Sequence, residues 1–292
     1  MKKSFKLSGQ SAILLCAVLW STSGLFIKLI TWHPFVISGV RSFLAVLFLL
    51  AVRMRQENQK NIFKHFTSGI WYAATMILFV FANKLTFAAN AILLQYTAPV
   101  WACFLGWLLL KEKPHWEHWI ALTLVGLGMF LVFGNGLSGN SAESGAGSFF
   151  GNLLALISGF TFAASSVVLR KHKEENPLDI MINAHIICFA VSLPFFFIYP
   201  PQLNAPNILS VLFMGIFQIG TASALFAYGL KRVRVVQAML TAAIEPVLNP
   251  IWVLLVLGEI PSFLVIAGGV IIIAAVIFSS LFSRKREISK SA

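Results

Sequence analysis

One carboxylate lies where the sequence is otherwise apolar. Glu245 falls inside the apolar run 235–257, Pro246 follows it directly, and Pro250 comes four residues later. Proline lacks a backbone N–H and frees the carbonyl four residues before it, and a membrane tolerates such a carbonyl only where protein or a wet cavity satisfies it. The sequence therefore predicts a broken helix that faces a cavity, with Pro99 as the corresponding break earlier in the chain.

Each charged residue inside an apolar run has more than one interpretation. A charge at the centre of a membrane helix costs about 2.5 to 3.5 kcal/mol on insertion scales. Glu245 is therefore either a neutral acid that holds neighbouring helices, or a group that contacts protons or substrate. Arg41 lies roughly 10 Å inside its helix and either binds a substrate carboxylate, pairs with Glu245, or clamps two helices. Asn249, one turn after Glu245, is expected to share that hydrogen-bond network or to bond a neighbouring helix.

Neutral side chains in the apolar runs are further candidates. Aromatic rings and amides can line a cavity and stack on a flat or cationic substrate, although packing and interface anchoring are common roles for them. The candidates for substrate contact are Trp20, Gln95, Tyr96, Trp101 and Tyr228. His185 is a candidate proton relay, with a hydrogen-bonded core histidine as the alternative.

Composition places these residues in a membrane protein. The chain has 292 residues, of which 58% are hydrophobic and 11% charged, values outside the usual range of soluble domains. The net charge of +12 is scattered over short connectors, which argues against a nucleic-acid surface. The three cysteines lack zinc-type spacing, and no Gly-rich loop ending in Gly-Lys-Ser/Thr occurs. We therefore expect no metal, no cofactor and no ATP hydrolysis.

Ten apolar runs are long enough to cross a bilayer as helices, which predicts an all-α integral membrane protein. The predicted spans are 11–30, 34–52, 68–86, 89–110, 116–134, 149–170, 179–199, 208–230, 235–257 and 262–282. Nineteen of the 22 Lys and Arg residues fall in the N-terminal segment, the C-terminal segment and every second connector. Because cytoplasmic loops retain basic residues, this pattern predicts that both termini are cytoplasmic.

The chain also carries an internal repeat. A shift of 147 positions superposes residues 96–100 on 243–247 and residues 111–114 on 258–261. We therefore predict a first five-helix repeat at 1–135, a polar linker at 136–148, a second repeat at 149–286 and a cytoplasmic tail at 287–292. Because five is odd, the second copy must cross the membrane in the opposite sense, which is a frequent design of secondary transporters.

Two copies of one motif give the chain a family resemblance. The first runs from Ala-Asn-Ala-Ile-Leu-Leu-Gln-Tyr-Thr-Ala-Pro-Val to Leu-Lys-Glu-Lys-Pro, and the second from Val-Gln-Ala-Met-Leu-Thr-Ala-Ala-Ile-Glu-Pro-Val to Leu-Gly-Glu-Ile-Pro. This pattern resembles ten-helix, EamA-type members of the drug/metabolite transporter superfamily over essentially the whole chain. The resemblance implies a carrier of the inner (plasma) membrane that exports small metabolites such as amino acids from a central cavity. The first copy departs from the second by having Ala98 where the second has Glu245.

These observations predict a secondary-active transporter, not an enzyme, that exports amino acids, amines or drugs by alternating access. Its partners are then a small-molecule substrate, the lipid bilayer and, through Glu245 or His185, a coupled proton. A lipid-linked sugar flippase is an alternative within transport. A membrane-embedded enzyme is a rival from another class, although the apolar runs contain no paired carboxylates and no Ser and His constellation at consistent depth.

Overall fold

The structure is a computed structural model that describes residues 7–55, 61–86, 88–137, 146–257 and 263–291. In these ranges the chain is helical and contains no strand. The α-helices are α1 (Gly9–Trp20), α2 (Ser23–Leu29), α3 (Pro34–Arg53), α4 (Ile70–Leu85), α5 (Ala88–Gln95), α6 (Ala98–Leu110), α7 (Trp116–Leu137), α8 (Ala146–Lys171), α9 (Pro177–Ile198), α10 (Ala205–Phe213), α11 (Ala222–Leu230), α12 (Val235–Ala242), α13 (Glu245–Leu257) and α14 (Phe263–Ser291). A 3-10 segment, Ile62–Gly69, leads into α4, and a π-helical segment, Met214–Thr221, joins α10 to α11.

Several helices begin at residues whose side chains cap them. Ser8 accepts a hydrogen bond from the backbone N–H of Ser11 at the start of α1, and Asn176 and Asn204 cap α9 and α10 in the same way. Proline occupies the first turn of α3 and α9, where its missing N–H costs nothing. The helix starts are therefore encoded locally.

Four of the predicted spans are divided. In the span predicted as 208–230 the π-helical segment separates α10 from α11, and the other three each break into two helices. The first, predicted as 11–30, breaks between α1 and α2, where the hydroxyls of Ser21 and Thr22 bond back to the carbonyls of Val18 and Leu19. Such back-bonding competes with the helix ladder and bends it. The spans predicted as 89–110 and 235–257 break at the residues just before Pro99 and Pro246.

Seven helical stretches of the described chain are long and apolar enough to cross a membrane. They are Gly9–Ile27, Pro34–Arg53, Ile62–Leu85, Ala91–Leu110, Phe149–Lys171, Pro177–Ile198 and Ala205–Leu230. Shorter apolar helices cover Trp116–Leu131, Val235–Leu248 and Ile266–Ser279. Together with the family evidence below, these stretches describe a multi-pass membrane protein.

The helices pack in pairs that join the two parts of the chain. The main pairs are α1 with α11, α3 with α9, α4 with α8, α6 with α12, and α7 with α14. Each pair takes one helix from before residue 138 and one from after residue 145. The buried core therefore forms between these two parts rather than within either of them.

Ion pairs fasten the ends of these helices. Arg53 at the end of α3 contacts Asp179 at the start of α9 with two nitrogens, Nε to Oδ1 at 2.7 Å and Nη2 to Oδ2 at 3.4 Å. The side chains of both residues are almost fully covered. A bidentate contact of this kind is among the stronger charge-assisted hydrogen bonds. It fixes the end of α3, the helix that also carries Arg41, against the start of α9.

A second charged cluster is centred on Glu175, which lies in the connector between α8 and α9 and outside the candidate membrane spans. The Glu175 carboxylate accepts hydrogen bonds from Lys64 at 2.9 Å and contacts His65 at 2.8 Å. These partners lower the pKa of Glu175 to about 2. Because the pKa is lowered on folding, the cluster stabilises the fold above the ordinary glutamate pKa, and this contribution is lost as pH falls towards 2.

We expect the Asp179→Asn substitution to destabilise the protein by about 3 kcal/mol, because the covered Arg53 guanidinium would then lack its carboxylate. The measurement is thermal unfolding of the purified protein in detergent. Glu174→Gln is the matched control, because the Glu174 side chain is largely exposed. A double variant, Arg53→Met with Asp179→Leu, should recover much of the loss. Equal stability of Asp179→Asn and the control would show that this ion pair does not hold α3 to α9.

Candidate functional site

The break between α12 and α13 leaves one backbone carbonyl without its helical partner. Pro246 has no N–H, so the carbonyl of Ala242, four residues earlier, cannot be satisfied within the helix. The hydroxyl of Tyr96 lies 2.6 Å from this carbonyl oxygen and 2.9 Å from Oε2 of Glu245. Tyr96 itself lies between α5 and α6, at the break that precedes Pro99. A side chain from one broken helix therefore satisfies the backbone of the other.

The Tyr96 hydroxyl has one hydrogen and two acceptors within reach. When the Glu245 carboxyl is protonated, it can donate to the Tyr96 oxygen while Tyr96 donates to the Ala242 carbonyl, and every group is satisfied. When Glu245 is ionised it only accepts, so Tyr96 must choose between the carboxylate and the freed carbonyl. Hydrogen bonding at the helix break therefore depends on whether Glu245 carries a proton.

The other break, before Pro99, is held differently. Pro99 frees the carbonyl of Gln95, and helix α8 approaches this carbonyl closely at Gly159. A Cβ on Gly159 would lie 2.7 Å from the Gln95 oxygen, a distance at which neighbouring atoms must move. The side-chain amide of Gln95 donates to Ser158 Oγ at 2.7 Å. The amide and the close approach together fix α8 against the break between α5 and α6.

A small cavity of about 60 Å³ lies beside both breaks. Its lining comes from both parts of the chain and combines charged, amide and aromatic side chains. The lining residues are Trp20, Ser23, Arg41, Tyr72, Thr75, Met76, Phe79, Gln95, Phe162, Gln218, Ile219 and Glu245. We call it the central cavity.

Arg41 and Glu245 face this cavity from opposite parts of the chain without forming an ion pair. Both are buried, with 2% and 7% exposure, and no described nitrogen–oxygen contact of 4.0 Å or less joins them. Arg41 Nη2 donates to the carbonyl of Met76 at 3.3 Å, and its buried Nε has no partner among the described residues. The predicted alternative in which Arg41 pairs with Glu245 is therefore not the arrangement in this structure. A cation and a carboxyl group are both available to a molecule in the cavity.

His185 lies one layer behind Arg41. The ring is fully buried, with Nε2 3.0 Å from Ser223 Oγ and Nδ1 3.4 Å from Ser42 Oγ. Tyr72, which lines the cavity, contacts it edge-on with ring centroids 5.9 Å apart. His185 therefore joins α3, α9 and α11 through hydroxyl groups, and it reaches the cavity only by way of its neighbours.

Among the predicted aromatic residues, Trp20 lines the cavity and packs against Phe162 and Phe226. The structure places Trp101 and Tyr228 elsewhere. Trp101 is 41% exposed on the outer face of α6, where its ring meets Phe160. Tyr228 lies near the end of α11, where its hydroxyl donates to the Leu7 carbonyl.

The remaining predicted residues concern the breaks themselves. Pro99 lines a small space of about 10 Å³ next to the central cavity, together with Tyr96 and Glu245. Pro246 is buried behind Glu245. Asn249 and Pro250 belong to α13, which continues from Glu245 to Leu257, so the helix break predicted at Pro250 does not occur there. The structure does not describe the side chains of these two residues.

Sequence reasoning missed several lining residues. Gln218 is 3% exposed in the π-helical segment, and its Oε1 has no described partner. A lone amide within the apolar run 208–230 was the available signal for it. Tyr72 and Thr75 gave no comparable signal, because tyrosine and threonine at helix positions are common in membrane helices. The Thr75 hydroxyl lies 2.8 Å from the Trp71 carbonyl and 2.9 Å from the Thr161 hydroxyl of α8, so it also joins two helices.

Metal binding has no support in the described residues, where no group of three or more His, Cys, Asp or Glu side chains is placed to hold an ion. The arrangement instead offers binding chemistry. A buried guanidinium, a buried carboxyl and several amides and rings converge on one cavity between two parts of the chain. Such convergence at the junction of two helix bundles is a common place for small-molecule sites.

Comparison with known proteins agrees with this architecture. The model of the EamA-like transporter family matches residues 7–134 and 149–281. An uncharacterized transporter of Archaeoglobus fulgidus is 25% identical over 272 residues, which cover 93% of this chain and 96% of the relative. The uncharacterized transporter YdfC of Bacillus subtilis (strain 168) is 27% identical over 244 residues, covering 83% and 79% of the two chains.

A solved crystal structure with 19% sequence identity superposes with a TM-score of 0.78, covering 96% of this chain and 98% of that one, and it supports the fold alone. The family model, by contrast, matches most of the sequence and includes both helix breaks and both cavity charges. The chain therefore belongs to the EamA-like transporter family, within the drug/metabolite transporter superfamily.

Proposed function

We propose that this protein is a secondary-active exporter of small organic metabolites that carry both an anionic and a cationic group, such as amino acids. It works by alternating access of two inverted five-helix repeats, with both termini in the cytoplasm of a cell whose inner (plasma) membrane it spans. The observation that carries the proposal is the central cavity, where Arg41 and Glu245 are both buried and not paired with each other.

Helix packing supports the repeat. If two copies are related by a two-fold axis, every contact between a helix of one copy and a helix of the other must have a reciprocal contact. In the two predicted repeats, α1 and α8 belong to the first helices, and α4 and α11 belong to the third helices. The pairs α1 with α11 and α4 with α8 have this reciprocal form, and α3 with α9, α6 with α12 and α7 with α14 join corresponding helices. The seven long spans and three shorter apolar helices fit ten crossings, and the family model matches twice.

The size of the cavity supports alternating access. At about 60 Å³ it is much smaller than the roughly 300 to 1,000 Å³ of typical ligand sites. A metabolite can enter only if helices of the two repeats move apart. Because the lining comes from both repeats, rocking of one against the other opens and closes it. A substrate carboxylate would bind Arg41 and a substrate ammonium would bind Glu245, each replacing water.

Proton coupling is supported by the position of the Tyr96 hydroxyl, whose one hydrogen can be donated either to the Ala242 carbonyl or to the Glu245 carboxylate. Proton loss from Glu245 draws the Tyr96 hydroxyl towards the carboxylate and away from the Ala242 carbonyl, which loosens the break between α12 and α13. A bound substrate ammonium stabilises the same ionised form. Proton release and substrate binding at Glu245 therefore act on one helix break. The other groups that face Glu245 are Arg41, Tyr72 and Cys16, and of these only Arg41 carries a charge in its ordinary state.

We expect Glu245→Gln and Arg41→Gln each to lower transport by at least about tenfold, because each removes one charge-assisted contact to the substrate. The substrate is first identified by profiling the metabolites released by cells that overexpress the protein, and its flux is then measured in proteoliposomes. Matched controls are Glu174→Gln and Arg55→Gln, which remove the same charges at exposed positions. Normal flux in both cavity variants would remove these residues from the mechanism.

Proton coupling makes a separate prediction at Glu245. Flux through the native protein should change with pH and should drive proton movement in the direction opposite to the substrate. Residual flux through Glu245→Gln should not depend on pH, because glutamine does not titrate. The measurement is substrate flux at several pH values with a pH-sensitive dye inside the vesicles. The same pH dependence in both proteins would assign coupling to another group.

Tyr96→Phe should lower transport and weaken its pH dependence while leaving the fold intact. The substitution removes one hydroxyl, so the Ala242 carbonyl and Glu245 lose their shared partner, at a cost of about 1 to 3 kcal/mol. Tyr199→Phe is the control, since that ring is 46% exposed. Flux and pH profile together are the readout, because a loss of packing alone would reduce flux equally at all pH values. An unchanged pH profile would show that Tyr96 does not transmit the protonation of Glu245.

A further inference from the structure

A second and larger cleft opens at one end of the helix bundle. Its volume is about 600 Å³, ten times that of the central cavity and within the range of ligand sites. It lies between the end of α3, the start of α9 and the helix α11. The lining residues are Leu7, Phe48, Val52, Asn176, Pro177, Leu178, Thr221, Ala224, Leu225, Ala227, Tyr228, Lys231 and Arg232. We call it the cationic cleft.

Two cations stand at its mouth without a carboxylate. Lys231 donates to the backbone carbonyl of Glu175 at 3.1 Å, and Arg232 donates to the carbonyl of Tyr228 at 2.9 Å. The Arg232 guanidinium also lies 3.4 Å above the Tyr228 ring, which orients it. Within the described chain, no carboxylate oxygen approaches either cation within 4.0 Å. Each cation keeps further N–H donors for an incoming anion.

Arg53 does not compete for that anion, although it lies close by at the end of α3. Its guanidinium is engaged by Asp179 on two sides, so its charge is already neutralised. Arg234, the third cation of this connector, contacts Nε2 of His115 at 2.9 Å and does not line the cleft. Lys231 and Arg232 are therefore the cleft-lining cations for which the described chain provides no carboxylate. Lys231 and Arg232 are consecutive residues that directly follow the last turn of α11, and both line the cleft.

The walls of the cleft are mostly apolar, and they continue into the outer surface of the bundle. Phe48 and Leu225 face each other from α3 and α11. Leu47, next to Phe48, is 52% exposed, and Phe217, one turn before Thr221, is 51% exposed. Large exposed apolar side chains on membrane helices face lipid. The cleft is thus an apolar space that begins at a charged end and lies next to a surface that faces the acyl chains.

We propose that the cationic cleft binds a phospholipid with an anionic headgroup, whose phosphate contacts Lys231 and Arg232 and whose acyl chain lies between α3 and α11. Basic pockets between membrane helices bind such headgroups by the same combination of charge and apolar space. Tyr228 fits this position, because amphipathic rings prefer the level of the headgroups. The site is separate from the central cavity, and the inference does not depend on the proposed transport activity.

Two other occupants fit the cleft less well. Residues 1–6 precede Leu7 in the chain, but they include Lys2, Lys3 and Lys6, and like charges repel. A small soluble anion would use the two cations and leave the apolar walls without a partner. The phospholipid alone satisfies both the charged mouth and the apolar interior.

Lipid binding can be measured directly by native mass spectrometry of the full-length protein, purified in detergent and titrated with phosphatidylglycerol or phosphatidylcholine of the same chain length. We expect phosphatidylglycerol to bind at least about tenfold more tightly, and Lys231→Gln with Arg232→Gln to abolish that preference. The matched control is Lys113→Gln with Lys171→Gln, which removes two exposed positive charges elsewhere and should keep the preference.

A second variant tests the apolar part of the site without changing charge. Ala224→Trp places a large ring inside the cleft and should weaken phosphatidylglycerol binding at least fivefold, while Ala274→Trp, on the exposed face of α14, should not. Thermal unfolding of each variant confirms that the fold is kept.

Three results would overturn the proposal. They are equal binding of the two lipids, displacement of the lipid by soluble glycerol phosphate at the same concentration, and binding that appears only after residues 2–6 are deleted. The second would identify a site for soluble anions. The third would show that the N-terminal segment of the chain occupies the cleft.

Discussion

A backbone carbonyl that loses its helical partner inside a bilayer must find another donor, and this constraint shapes the centre of the protein. Leaving such a group unsatisfied costs several kcal/mol, and lipid offers no hydrogen-bond donor. Pro246 creates this need at Ala242, and Tyr96 meets it from the other half of the chain. The break in one half is thus stable only while the other half is packed against it. The two halves depend on each other at the point where the cavity lies.

The Tyr96 hydroxyl also positions the Glu245 carboxyl group through a hydrogen bond. A carboxyl group next to a freed carbonyl would repel it if both were acceptors, and Tyr96 separates them with its one hydrogen. Arg41 is kept apart from Glu245 and is satisfied in part by the Met76 carbonyl. If the two charges met, they would form a buried ion pair that closes the cavity and resists separation. Keeping them apart leaves both free for the ligand that we propose, at the expense of the buried Arg41 Nε, which has no partner among the described residues.

Much of this arrangement follows from the sequence, because the responsible signals are local. Apolar length predicts the helices, and Pro99 and Pro246 predict two of the breaks. The division between α1 and α2 was not predicted, because Ser21 and Thr22 bend a helix only when their hydroxyls turn back to the backbone. The sequence also left open whether Trp101 and Tyr228 line a cavity or anchor the helices, and neither belongs to the lining of the central cavity. Which face of a helix points inward depends on packing with a partner more than 100 residues away, and no local pattern records it.

The helix that runs from Met214 to Leu230 connects the two sites. Gln218 and Ile219 line the central cavity, whereas Thr221, one turn or less further on, lines the cationic cleft. Between them the backbone is π-helical, with the Thr221 hydroxyl bonded to the carbonyl of Ile216, five residues back. A π-helical turn has poorer packing than an α-helix and often lies at functional sites. This segment packs on α3 next to Arg41, so a ligand bound in either site as we propose would contact the same pair of helices. Any shift of α11 at the cleft must therefore alter the wall of the cavity, because one irregular turn carries both.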